Sequence, residues 1–262
     1  MNVISSKFWA LLSFCFLILL VFLFYAEMNY NQSKTTNIIP QAGVVLSFDD
    51  DYVAEWQMAD DYLKNYHWKA TFFVSKINKI KYPQLIQLLK FQQNGHEIAG
   101  HGWLHTKAPL YLKNHSIASY MNLEILPMQN FFRQNNLKLH SFSYPYGERN
   151  EILDKNLYQK FKILRGTTYA SFEPERQNCY NDYASRLVLG WGIDDFYPQF
   201  SITYLEKLLA FAKKNNKILI LYAHKPVKAV KGKYEVDLKT LVYICQYVQK
   251  NNMKFYTFKD LN

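Results

Sequence analysis

Two hydrophobic rhythms alternate along most of the chain. Short apolar or β-branched runs recur at residues 44–48, 70–74, 97–99, 141–144, 162–164, 186–189 and 218–222. Runs of this length, bounded by polar residues, predict buried strands. Between them the spacing lengthens to that of helices. Pro83, suited to a first helical turn, precedes Leu85, Leu88 and Leu89, and the pattern stops at Asn94-Gly95. Leu205, Leu208, Leu209 and Ala212 repeat it before Asn215-Asn216. Strands alternating with helices predict parallel βαβ units in one domain. About seven such strands make a barrel or an open sheet, and both architectures gather chemistry at the carboxyl ends of their strands.

The N-terminal pattern is different. Residues 8–26 form a run of 19 without a charge, and Ser13 is its one strongly polar side chain. At about 1.5 Å per helical residue it spans roughly the 30 Å of a bilayer core, which predicts a transmembrane helix. A cleaved signal peptide would carry an apolar stretch of only about 7–15 residues and end in a small-x-small site. This run ends Phe24-Tyr25-Ala26. Lys7 precedes it and Glu27 is the first charge after it, an asymmetry that places the N-terminus in the cytoplasm and the remainder outside. The expected organisation is a cytoplasmic tail over 1–7, a membrane anchor over 8–26, a flexible polar stalk over 27–41 and one folded domain over 42–262.

Composition narrows the partners. A net charge of +10 suits an anionic polymer or surface, and Lys225, Lys228, Lys231 and Lys233 form a basic stretch beside His224. No nucleic-acid recognition motif accompanies the charge, so nucleic acid is not expected, and no obligate protein partner is inferred. Cys179 and Cys245 leave two readings, a disulfide in an oxidising compartment or buried thiols. Cys245 shares a helical face with Leu238, Leu241, Val242 and Val248, which favours burial.

Candidate chemistry falls where the strand pattern leads. Asp49, Asp50 and Asp51 close the first predicted strand, and adjacent carboxylates are costly to keep ionised unless a cation lies beside them. His101 and His105 are four residues apart, a spacing that on one helical turn brings both imidazoles to one side. With one aspartate they would form a two-histidine, one-carboxylate face with open positions. Tyr144-Pro145-Tyr146-Gly147 has the composition of a tight turn. His224 follows the last strand run, and Asp194 or Asp195 is a candidate to fix its tautomer and raise its pKa.

In this order, Ser-Phe-Asp-Asp at 47–50, the segment from His96 to His105, Tyr-Pro-Tyr-Gly at 144–147 and His224 together resemble the polysaccharide deacetylase (NodB-homology) family of carbohydrate esterases, over roughly residues 42–262. The resemblance implies a distorted (β/α)7 barrel behind an N-terminal transmembrane helix. It implies Asp50, His101 and His105 as metal ligands, Asp49 as general base, the Tyr146 backbone N–H after Pro145 as an oxyanion donor, and His224 as general acid. Zinc is the expected metal, with cobalt, nickel or iron(II) as alternatives. His96 is expected to be structural. Two positions depart from the family pattern. Asp51 stands where glycine is usual, and Ser143 stands where an arginine often pairs with the base. Arg165 or Arg149 is the candidate to supply that pairing instead. Trp191 either stacks on a sugar ring or fills the core. The implied activity is removal of N-acetyl groups from an N-acetylhexosamine glycan by a membrane-anchored domain outside the cytoplasm. The alternatives are an O-acetyl esterase or a deformylase on a lipid-linked sugar, or a non-catalytic glycan-binding barrel.

Overall fold

All seven expected strands are present in the computed structural model of the chain, which describes residues 18–22, 24, 41–169, 173–181 and 185–261. They are β1 (Gly43–Asp50), β2 (Thr71–Val74), β3 (Glu97–Gly100), β4 (Ser141–Ser143), β5 (Ile163–Thr168), β7 (Leu187–Gly192) and β8 (Ile218–Ala223). Four shorter strands accompany them: β6 (Tyr180–Asn181), β9 (Lys225–Val227), β10 (Glu235–Asp237) and β11 (Lys254–Tyr256). The seven pair in parallel in the order β1-β2-β3-β4-β5-β7-β8. β8 then returns to β1, in register from Gly43↔Ile218 to Phe48↔Ala223, and closes the barrel.

The closure is uneven, and the unevenness shapes the interior. β3 and β4 are joined through the pair Gly100↔Phe142, and β7 meets β8 only at Trp191↔Leu221 and Gly192↔Tyr222. Below that contact β6 runs antiparallel to β8 at Leu219 and Ile218, filling the gap where the two barrel strands splay. β11 extends the sheet by pairing with the first residues of β1.

Strands covered on both faces must be apolar on both, and these are. Val44, Leu46 and Phe48 join one buried cluster with Phe72, Leu219 and Leu221, while Val45, Phe73, Ile163, Ile220 and Phe258 form a second. The helices belong to the first. Val53–Leu63 contributes Trp56, stacked on Phe72 at 5.0 Å, and Ile202–Lys214 buries Leu205, Leu208, Leu209 and Ala212. The other expected helix runs over Tyr82–Gln93 with its proline in the first turn. Cys245 is buried on the helix Leu238–Lys250, and both it and Cys179 are free thiols, so the disulfide reading does not hold. Burial pushes each of these thiols up to about 12.

The chain divides into two units, Met1–Ile39 and Pro40–Asn262. In the first, residues 18–22 and 24 are helical and exposed. The rest of the expected anchor over 8–26, and the stalk up to residue 40, lie outside the described residues. Among the described residues, no helix is long and apolar enough to cross a membrane.

The amino ends of the strands are fastened by one buried carboxylate. Glu97, at the start of β3, accepts from Thr71 Oγ1 at 3.0 Å, Ser141 Oγ at 2.7 Å and the Lys259 N–H at 2.8 Å. It thereby ties β2, β3 and β4 to the C-terminal turn Phe258–Asp260. Glu97→Ala would orphan three donors at roughly 1 kcal/mol or more each. A loss of at least about 3 kcal/mol in urea-unfolding free energy is expected, and Glu97→Gln should lose less because its carbonyl still accepts. An unchanged urea midpoint for the alanine variant would refute this account of the barrel floor.

Candidate active site

The opposite ends of the strands converge on a cleft of about 410 Å³, lined among others by Asp49, Asp50, His101, His105, Tyr146 and His224. Asp49 and Asp50 end β1, His101 directly follows β3, the turn Pro145–Gly147 follows β4, and His224 follows β8. Asp50, His101 and His105 each offer one ligand atom, and these atoms lie within 4.8 Å of one another. His105 Nε2 is 3.3 Å from Asp50 Oδ1 and 3.2 Å from His101 Nε2, and His101 Nε2 is 4.0 Å from the same aspartate oxygen. Ligands about 2.0–2.1 Å from a tetrahedral ion stand roughly 3.3 Å apart, so the donor set fits a small divalent metal.

The protonation states suit that use. His101 Nδ1 lies 2.9 Å from the Ser143 carbonyl, to which its N–H donates, leaving Nε2 with a lone pair toward the cleft. Burial pushes the pKa of both imidazoles down, outweighing the opposing pull of Asp49 and Asp50, so both are neutral. The histidines do not share a helical turn as the spacing suggested. Residues 101–107 form a loop in which Gly102 and His105 take positive φ, +87° and +68°, and this brings the imidazoles together instead. Asp50 itself has φ of 83°. The strained position at the end of β1 is therefore Asp50 and not Asp51, which needs no glycine and pairs with Lys76 at 3.5 Å.

Asp49 is buried beside this set, its Oδ2 3.7 Å from His101 Nε2. Its carboxylate is gripped by the guanidinium of Arg165, which is fully buried. Burial alone would raise the Asp49 pKa, but the charge and hydrogen bond of Arg165, with the charge of His224, hold it below the usual carboxylate value. Arg165 reaches the carboxylate because β4 and β5 place it in register with Ser143. The cation missing from position 143 thus arrives from the neighbouring strand. Arg149 is engaged elsewhere, with Asp154. The Arg165 guanidinium is flanked by the rings of Phe73 and Tyr222, at 5.3 and 4.8 Å.

His224 lines another part of the cleft. Its Nδ1 is 2.6 Å from Asp194 Oδ2, and its backbone N–H donates to Asp194 Oδ1 at 3.0 Å. Desolvation alone would lower this imidazole, yet the hydrogen bond and charge of Asp194 override it and its pKa is raised. Asp195 instead accepts from the Asp237 N–H at 2.9 Å. Trp191 does not line the cleft. It is fully buried, with ring centroids 6.1 Å from Phe200 and 5.3 Å from Tyr204, because it falls where β7 pairs with β8 and faces the helix Ile202–Lys214. Pro145 is buried in its turn, and Tyr146, at φ of 62°, sets its ring 4.6 Å from that of His105. His96 is structural, accepting from the Ala70 N–H and bonding Asp60 at 3.0 Å.

Sequence reasoning missed several residues that line the cleft or support its side chains. Ser75, which donates to Asp50 Oδ1 at 3.2 Å, directly follows β2, and Tyr222 is in β8, so the strand-end rule could have found both. Tyr52, Tyr169, Tyr197 and Tyr234 also line the cleft. Tyr169 directly follows β5 and was open to the same rule, whereas Tyr52, Tyr197 and Tyr234 lie in connecting segments outside the strands.

Residues 37–162 of the chain match the polysaccharide deacetylase family. Solved structures with the same fold include the catalytic domain of a peptidoglycan N-acetylglucosamine deacetylase from Eubacterium rectale, 16% identical with a TM-score of 0.56, covering 83% of this chain and 88% of that one. A chitin deacetylase from Colletotrichum lindemuthianum is 16% identical with a TM-score of 0.54, covering 85% and 88%. An esterase from Streptococcus mutans is 19% identical with a TM-score of 0.54, covering 83% and 86%. No curated protein matches the chain in sequence.

The His224–Asp194 pair gives a direct test of the cleft electrostatics. Since Asp194 is what raises the imidazole, Asp194→Asn should move the His224 titration to lower pH in NMR. A titration that stays in place would mean that the pair is not formed in solution.

Proposed function

We propose, from the match of residues 37–162 to the polysaccharide deacetylase family, that the chain is a metal-dependent hydrolase removing N-acetyl groups from an N-acetylhexosamine-containing glycan outside the cytoplasm. The observation that carries the reading is the meeting, in one cleft, of an Asp-His-His donor set, a buried ionised carboxylate and a histidine held by a carboxylate. The peptidoglycan and chitin deacetylases that share the fold lend support on the substrate class. Residues 8–26 would hold the domain at the membrane, on the strength of their uncharged length.

Asp50, His101 and His105 would hold the metal. One carboxylate and two imidazoles suit zinc, with cobalt, nickel or iron(II) as alternatives. A divalent ion there supplies Lewis acidity toward the acetyl carbonyl and brings the pKa of water toward neutrality. Asp49, kept ionised by Arg165, takes the proton from the water that attacks the carbonyl carbon. The Tyr146 backbone N–H donates to the oxygen that becomes negative as the carbon turns tetrahedral. His224, held by Asp194, gives its proton to the amide nitrogen as the C–N bond breaks, and acetate and a free amine leave. Asp49 then returns its proton to solvent and His224 recovers one, so the cycle consumes one water.

The test is acetate release by the full chain from N-acetylglucosamine oligomers and from peptidoglycan. Release should stop with a chelator and return with zinc, and Asp49→Asn should cost about 10²–10⁴-fold in kcat while the metal stays bound. A folded, metal-loaded chain that releases acetate from neither glycan would shift the reading to O-acetyl or lipid-linked substrates. A chain that binds no metal would favour a glycan-binding barrel.

Arg165 has its own signature. Without its charge the Asp49 carboxyl titrates higher, so Arg165→Ala should move the acid limb of kcat/KM to higher pH. Because Ser143 is the register partner of Arg165, adding Ser143→Arg to that variant should bring the limb back. An unchanged acid limb in Arg165→Ala would remove Arg165 from the mechanism.

A further inference from the structure

Glu124 is a fully buried carboxylate outside the catalytic set, and no basic side chain pairs with it among the described residues. It sits in Met121–Ile125, a single π-helical turn within a longer helical stretch, a local irregularity that often marks functional positions. Its oxygens accept from the backbone N–H of Leu104 at 2.9 Å, the backbone N–H of Thr106 at 3.2 Å and the Thr106 hydroxyl. These donors flank His105. The loop they belong to has no helix or strand to hold it, and it turns through positive φ at both Gly102 and His105. A Cβ at Gly102 would lie 2.7 Å from Glu124 Oε2, so the carboxylate fills the space a side chain there would need.

Charge balance points the same way. Asp49 is matched by Arg165, Asp51 by Lys76 and Asp194 by His224. Asp50 and Glu124 have no Lys or Arg partner among the ion pairs of the described residues, and Glu124 binds the backbone on both sides of His105. Two such carboxylates are balanced by one divalent cation.

We propose that Glu124 is a positioning residue for the metal centre, fixing the 102–106 loop so that His105 meets Asp50 and His101 and adding a negative charge that favours a bound dication. This rests on the metal-dependent reading above. Partners of this kind behind a metal ligand typically contribute 10–100-fold in affinity.

The experiment measures Zn²⁺ affinity of the full chain by competition with a chromogenic chelator, so it does not depend on turnover. Glu124→Gln, which keeps one acceptor and loses the charge, should weaken zinc binding about 10–100-fold, and excess zinc should restore acetate release. Gly102→Ala, which leaves Glu124 in place but crowds its carboxylate, should weaken binding as well, and Thr106→Val should do so to a smaller degree. These two carry the test if Glu124→Gln does not fold. Zinc affinities within about twofold of the parent in folded variants would overturn the positioning role alone. A parent chain that binds no zinc would overturn the metal-dependent reading, and this inference with it.

Discussion

A fully buried guanidinium gripping a buried carboxylate is the contact on which the cleft is arranged. Taking either Arg165 or Asp49 out of water alone would cost several kcal/mol, so each requires the other. Their meeting ties β5 to β1 across the barrel, with Arg165 standing in register beside Ser143 of β4. Phe73 and Tyr222 then flank the cation on strands from two sides of the barrel. The interior at this level is therefore ionic and aromatic, whereas the level below is aliphatic and closed by Phe258 and Leu261.

Backbone strain follows from the same crowding. Asp50, His105 and Tyr146 all take positive φ, at 83°, 68° and 62°, a conformation that costs a non-glycine residue on the order of 1–3 kcal/mol. Each is held by bonds made by its neighbours. The Ser75 N–H donates to the Asp50 carbonyl at 3.0 Å, Glu124 binds both sides of His105, and the Gly147 N–H closes the turn on the Tyr144 carbonyl at 2.8 Å. Three strained residues directed at one cleft mean that side-chain placement is set by loop geometry as well as by strand ends.

This explains which parts of the molecule were legible in the sequence. The seven strands were, because strands buried on both faces leave apolar runs that interrupt helical periodicity. The positions of Asp50, His101 and His224 were legible for the same reason, each lying at the end of such a run. The His101–His105 spacing led to the right meeting by the wrong geometry: four residues signify one side of a helix, but glycine at 102 and a remote carboxylate produce the same convergence in a loop. Trp191 was ambiguous because a tryptophan at a strand end serves a core or a sugar equally well, and only the packing of Tyr204 and Phe200 decides. Glu124 carries no local signal, since its partners lie 18 and 20 residues away.

The side chains of the cleft come from both sides of β5 in the sequence. The segment before β5 carries Asp49 and the Asp50, His101 and His105 donor set. Arg165, Asp194 and His224 come from β5 onward, where Arg165 holds the Asp49 carboxyl low and Asp194 holds His224. The two segments meet where β4 pairs with β5 and again along the β1–β8 seam, where six register pairs run from Gly43↔Ile218 to Phe48↔Ala223. Just beyond that seam the Trp56 indole N–H donates to the His224 carbonyl at 2.9 Å, fixing the end of β8 to the helix that follows β1. A barrel open at this seam could still present Asp50, His101 and His105 together, but His224 would no longer face Asp49. Closure of the barrel at β1–β8 is thus what brings His224 into the cleft that holds Asp49, Asp50, His101 and His105.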